Sequence, residues 1–122
     1  MGCSASGTTD ANIILAEILI DDNNIEEDIQ IINSHENAMK ELEGTIQENQ
    51  KNEQEIRKCE IKINDNIIPF TYKYKFPKKG KYNTCYTFDN LTRSDYLFYD
   101  CTAHINIDCS HFETLKLNKL QI

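Results

Sequence analysis

At 122 residues the chain has the length of one domain and can bury a real but modest core. Its net charge of −7 is unevenly spread: residues 1–60 carry 14 acidic and 4 basic side chains, a net of −10, whereas residues 61–122 carry 6 and 9, a net of +3. The acidic half excludes nucleic acid as a main partner, no apolar run approaches the ~20 residues of a helical span, and no basic start with an apolar stretch marks a secretory signal.

The chain opens Met1-Gly2-Cys3-Ser4-Ala5-Ser6. Loss of Met1 exposes Gly2, and Ser6 stands where the M-G-x-x-x-[ST] pattern of N-myristoylation wants a small hydroxyl residue. One myristoyl chain holds a protein to a bilayer only marginally, with K of roughly 10⁴ M⁻¹, so a second signal is needed. Cys3 is placed to take palmitate. The segment resembles the N-termini of dually acylated peripheral membrane proteins. Residues 1–11 are small and polar and read as a flexible acylated tether, with residues 12–122 as a single domain behind it. The expected location is the cytosolic face of a membrane, where thiols stay reduced. Cys59, Cys85, Cys101 and Cys109 are then small core residues, not a disulfide framework. The sequon Asn90-Leu91-Thr92 becomes a chance match.

Asn12–Ile20 reads as a buried strand. Asp21–Asn24 is a turn, and Ile29, Ile31 and Ile32 mark a second strand, so residues 12–33 are expected to pair as a hairpin. The acidic residues Asp21, Asp22, Glu26, Glu27 and Asp28 fail the calcium-loop template and read as a solvated turn. Asn33 with Glu36 three residues on is a helix-start signal. Ala38, Met39, Leu42 and Ile46 recur at helical spacing, although Gly44 weakens the run. A short second helix is expected over residues 52–58.

Three alternating runs follow. Cys59, Ile61 and Ile63 form the first, Phe70, Tyr72, Tyr74 and Phe76 the second, and Tyr82, Thr84, Tyr86 and Phe88 the third. Asp65-Asn66 and Pro77–Gly80 are the turns between them. Period-two alternation predicts an antiparallel three-stranded meander with one aromatic face, covered by the N-terminal hairpin and the 34–46 helix. The fold class expected is α+β, mainly antiparallel sheet with one or two short helices.

In the tail, His104, Ile107, Cys109 and Phe112 fall at leucine-rich-repeat spacing. Tyr86–Thr92, Tyr96–Cys101 and Ile107–Phe112 together resemble the opening of BspA-type leucine-rich repeat proteins. Ile68-Pro69-Phe70 and Lys79–Tyr82 are similar to the β-rich segment that leads into such repeats. The likeness covers about residues 56–114. His104 and Cys109 stand where that family has Leu, and His111 where it has Asn. Residues 104–122 hold only one repeat unit, whereas about three are needed for a self-supporting stack. The resemblance implies an interaction module, not a catalyst.

Three groupings are candidates for chemistry. Cys101, His104, Cys109 and His111 offer the donor types zinc favours, but at no spacing that matches a tetrahedral template. They support, at most, an alternative reading as a small structural zinc module, beside the other alternative of a truncated leucine-rich-repeat paralogue without independent activity; the main expectation is no metal and no cofactor. The same residues lack any signature of nucleophilic catalysis, so no enzyme and no small-molecule substrate are expected. Lys73, Lys75, Lys78, Lys79 and Lys81 form the basic patch, which could meet anionic headgroups at about 1 kcal/mol per lysine near the surface. The expectation drawn from the whole is a lipid-anchored scaffold or protein-interaction module, held to the membrane through Gly2 and Cys3 and serving a protein partner.

Overall fold

A computed structural model describes residues 12–89 and 91–112. The order of elements is β1 (Asn12–Ile20), β2 (Asp28–Gln30), α1 (His35–Leu42), a 3-10 turn (Glu48–Gln50), α2 (Glu53–Ile56), β3 (Glu60–Ile63), β4 (Asn66–Ile68), β5 (Lys73–Lys75), β6 (Gly80–Thr87) and β7 (His104–Phe112). The fold is α+β and mostly β, as the alternation predicts. Five strands form one antiparallel sheet in the order β4-β3-β6-β1-β7, and β2 with β5 forms a second, two-stranded sheet. Residues 1–11, expected to be an acylated tether, and the end of the tail, residues 113–122, lie outside the described residues.

The pairing departs from the expected hairpin. β1 lies between β6 and β7 and pairs antiparallel with both, so neither of its edges is left for β2. The acidic turn carries the chain away instead. Asn24 N–H donates to the Asp21 carbonyl, Glu27 N–H donates to the Asn24 carbonyl, and Glu26 takes a positive φ of 63°. β2 then pairs with β5, with Ile29 opposite Tyr74.

The meander is also rearranged. β3 and β4 form a tight hairpin with Ile63 opposite Asn66. Its two turn residues are Asn64 and Asp65, at φ 48° and 70°, one position earlier than the composition suggests. Positive φ at both positions matches the right-handed twist of the strands, and Asn and Asp tolerate it well. Glycine at the second position removes the residual Cβ strain. Asp65→Gly is therefore expected to stabilise the domain by about 0.5 kcal/mol, read as a higher urea midpoint, whereas Asp65→Val should lower it. Pro69 cannot donate to a ladder, and β4 ends just before it. The aromatic run then crosses to the small sheet, which leaves the second edge of β3 to β6, with Ile61 opposite Tyr86.

The core lies on the inner face of the large sheet. Ile14, Ala16, Ile18 and Ile20 point into it from β1 at period two, and meet Ile61, Ile63, Phe76, Tyr86, Phe88, Leu97 and Phe98. Tyr86, Phe76 and Phe98 are fully buried, each contributing about 2 kcal/mol by the area removed from water. The cover is the 29–34 segment, β5, Ile56 of α2 and the 91–101 segment. The expected helical cover does not form. Helix α1 buries His35 and Ala38 but stops at Leu42, and Leu42 and Ile46 are exposed. Ser34 caps its start through an N–H bond from Asn37, and Glu43 ends it in a left-handed conformation, with Gly44 N–H donating to the Met39 carbonyl.

The tail strand β7 forms an edge of the antiparallel sheet instead of one unit in a stack of repeats. It carries one extra residue between the pairs Ile18–His104 and Glu17–Asn106. This β-bulge resets the alternation, so that His104, Ile107 and Cys109 are all half-buried while Ile105 is exposed.

Candidate functional site

The five lysines of the basic patch sit on β5, the turn after it and β6. Four of them face carboxylates. Lys75 Nζ lies 3.1 Å from Asp28, Lys79 3.4 Å from Asp22, Lys81 3.8 Å from Glu17 and Lys73 3.8 Å from Glu41. Such exposed pairs contribute about 0–1 kcal/mol each, but they cancel much of the field a bilayer would feel. Among the described residues only Lys78 of this set has no ion pair. Two of the four partners, Asp22 and Asp28, come from the acidic cluster, whose side chains stay exposed as expected.

The cysteine and histidine candidates are dispersed into structural roles. Cys101 is buried, and its thiol donates to the Tyr99 carbonyl at 3.7 Å. His104 Nε2 is 3.0 Å from the Tyr86 hydroxyl, and its Nδ1 is 3.3 Å from the Cys101 carbonyl. Cys109 is half-buried against the core, and the side chain of His111 lies outside the described residues. Among the described residues no three His, Cys, Asp or Glu side chains cluster as a metal site. Burial pushes the thiols of Cys59, Cys101 and Cys109 up, away from the nucleophilic thiolate.

Burial pushes the His104 imidazole down, to about 4, against a smaller opposing effect of the Cys101 carbonyl. The geometry shows what opposes burial. Tyr86 donates its hydroxyl hydrogen to the Ile31 carbonyl at 2.5 Å. Both ring nitrogens of His104 therefore face oxygens that accept, and a neutral imidazole has one N–H to offer. A second proton would satisfy both contacts, but at the cost of burying a charge, and burial wins.

A second polar cluster joins the two helices. The Ser34 hydroxyl donates to Tyr72 Oη at 2.8 Å, and Tyr72 donates to Glu53 Oε2 at 2.8 Å. Burial, the largest cause, and Glu53 together hold the Tyr72 phenol well above its usual range. Asn52 is buried, accepts from His35 N–H and donates to the carbonyls of Arg93 and Asp95. Glu36, expected to cap its own helix, instead accepts from the N–H groups of Asn52 and Glu53 and caps α2.

Among the described residues there is a cleft of about 370 Å³ where the acidic turn, the small sheet and the entry to β7 meet. Asp21, Asp28 and Asp100 line it with a single cation, Lys73. Leu19, Ile29, Ala103 and Ile105 supply apolar wall, and Asn24, Gln30 and Thr102 complete it. The fold holds each part in place. Asp21 accepts from Asn23 N–H at 2.9 Å, which fixes the turn. Asp100 sits at φ 66°, at the end of a run of turns latched to Asn33 through the Leu97 and Tyr99 carbonyls. Leu19 N–H donates to the Ala103 carbonyl at 3.0 Å and closes the floor. No sequence signal marks this cleft, because Asp21 and Asp100 lie 79 positions apart and are brought to one end of the large sheet only by the pairing of β1 with β7.

Comparison with protein-family models, with curated proteins and with solved structures gave no match to the chain. Among the described residues no helix is long and apolar enough to cross a membrane.

Proposed function

We propose that this chain is a lipid-anchored, non-catalytic interaction module at the cytosolic face of a membrane. Acyl chains on Gly2 and Cys3 tether it, and the folded domain presents its cleft to a protein partner. The observation that carries the tethering is the agreement of Gly2, Cys3 and Ser6 with a dual acylation pattern. The binding role draws support from the cleft, which joins carboxylates to half-exposed apolar side chains on a rigid sheet edge. It draws support too from the structural employment of the reactive side chains, since the raised thiols of Cys59 and Cys101 and the enclosed ring of His104 are poorly suited to attack a substrate. The likeness to BspA-type repeats points the same way.

Fractionation of cells expressing wild type, Gly2→Ala and Cys3→Ser tests the anchor. Wild type is expected in the membrane fraction, Gly2→Ala in the soluble fraction, and Cys3→Ser in both, because a single acyl chain binds reversibly. An equal distribution of wild type and Gly2→Ala would remove the tether from this account.

A further inference from the structure

We infer that the outer face of the large sheet is a docking surface, and that its occupant is this chain's own C-terminal segment, residues 113–122. Docking of this kind is independent of the anchor proposed for Gly2 and Cys3. Two buried residues are not accounted for by the core. Ile13 is 8% exposed and Cys85 2%, yet neither belongs to the core cluster. Alternation explains why. Ile14, Ala16, Ile18 and Ile20 turn inward from β1, so Ile13, Leu15, Glu17 and Leu19 turn outward. Register carries the outer face across the neighbouring strands. Thr87 and Cys85 of β6 stand opposite Ile13 and Leu15, Glu60 and Lys62 of β3 stand opposite Thr87 and Cys85, and Asp108 of β7 stands opposite Leu15. Among the described residues, the segments packed over the large sheet, 29–34, β5, Ile56 and 91–101, join the core cluster on the inner face. A sheet face left open to water carries polar, solvated side chains, not a dry isoleucine and a dry thiol.

Burial is graded along β1, and the gradient points to the occupant. Ile13 is buried, Leu15 is half-buried, and Leu19 at the far end is 47% exposed. The dry end is the one at which Asn12 pairs with Phe112, where residues 113–122 leave β7. Ten extended residues reach about 33 Å, whereas β6 lies two strand spacings from β7, about 10 Å. Composition selects the same segment. Residues 113–122 include Leu115, Leu117, Leu120 and Ile122, whereas residues 1–11, which enter at the same end, hold no large apolar side chain beyond Met1. Covering Ile13 and Leu15 with these leucines removes apolar surface from water on both sides of the contact. Charge agrees, since Lys116 and Lys119 of the segment are opposite in sign to Glu60 and Asp108, which stand on the outer face near the dry end.

The test uses the full, unacylated chain, so that no fatty chain can be the cover. Methyl NOE spectra of ¹³C-labelled wild type are expected to join Leu115, Leu117, Leu120 or Ile122 to the methyls of Ile13 or Leu15. Isotope-filtered spectra of labelled chains mixed with unlabelled ones should lack these cross-peaks, because the contact lies within one chain. Timed alkylation with N-ethylmaleimide, read by peptide mass, gives a second measure. In wild type Cys85 is expected to react as slowly as the core thiols Cys59 and Cys101. In the full chain carrying Leu117→Ser with Leu120→Ser, Cys85 should react about ten times faster while Cys59 and Cys101 keep their wild-type rates, because only the outer face opens. Absence of the cross-peaks, cross-peaks between chains, which would make a second copy the occupant, or a Cys85 rate unmoved by the leucine changes would overturn the assignment. If the variant exposes all three thiols together, the wild-type NOEs decide.

Discussion

Asn52→Ala should cost the domain about 3 kcal/mol, the largest effect expected of any polar substitution in it. Asn52 is 2% exposed and makes three side-chain bonds, accepting from His35 N–H at 2.9 Å and donating to the Arg93 and Asp95 carbonyls at 3.1 and 2.9 Å. Alanine removes all three and leaves one donor and two acceptors buried. An orphaned donor costs about 1–3 kcal/mol, and carbonyls, which have a second lone pair, cost less. The three partners belong to α1 and to the 91–99 segment, so their loss also loosens the cover over the core. Against a total of roughly 5–15 kcal/mol for a domain, such a loss is a large fraction. Urea denaturation of wild type, Asn52→Ala and Asn37→Ala measures it. Asn37 is only half-buried and its side chain makes one bond, to Asn33 Oδ1. It should cost under about 1 kcal/mol. Equal midpoints for the two variants would mean that the Asn52 bonds do not hold the helices to the core.

The second large effect is in pH. The His104 ring titrates at about 4 in the folded protein, because burial disfavours its charged form. In the unfolded chain it titrates near 6.5. Above pH 6.5 both states hold a neutral ring and its full stability is present. Between 6.5 and 4 the unfolded state binds a proton that the folded state refuses, so stability falls as pH falls through that window. The full loss is roughly 3 kcal/mol, from about 1.4 kcal/mol per pH unit. Carboxylates add their own slopes, so the measurement is a difference. Wild type and His104→Gln, compared by urea denaturation at pH 7 and pH 4.5, should converge by about 2–3 kcal/mol as pH falls. Parallel pH profiles would remove His104 as the source. Tyr86→Phe offers a second check, since it takes away the hydroxyl that faces Nε2 and leaves the Ile31 carbonyl without its donor.

Much of the architecture was legible because strands announce themselves by local alternation. Ile14, Ala16, Ile18 and Ile20 repeat at period two, and so do Ile61 with Ile63 and Tyr82 with Thr84 and Tyr86; each set is inward-facing in the fold. Phe70, Tyr72, Tyr74 and Phe76 repeat in the same way, yet only Tyr74 lies in a strand, and that strand, β5, belongs to the small sheet. Alternation tells which face is apolar, not which strand lies beside it. Helix α1 is visible through its spacing, but its cap is Ser34, one position after the expected Asn33, and its C-terminal apolar residues stay exposed while the aromatic run helps to cover the core.

Sites fared less evenly than strands. The basic patch was evident as a run of lysines, but its pairing with Asp22, Asp28, Glu17 and Glu41 follows from chain reversals that no local window contains. The cysteines were correctly read as buried small residues for Cys59, Cys85 and Cys101, since thiols in alternating apolar runs behave as hydrophobes. His104 was harder to read. Its parity opposes that of Cys109, and only the bulge at Ile105 turns both inward.

What the sequence by itself determined is the set of local structures: which segments extend, which turn, and which side chains seek the interior. These follow from side-chain spacing and from the φ each residue tolerates, both short-range properties. Partnership was decided in tertiary structure. β1 could pair with β2 or with β6 and β7, and the longer strands took both of its edges. From that one competition come the second sheet, the cleft between Asp21 and Asp100, and the enclosure of His104 by Tyr86, because the free energy of pairing depends on every segment competing for the same edge.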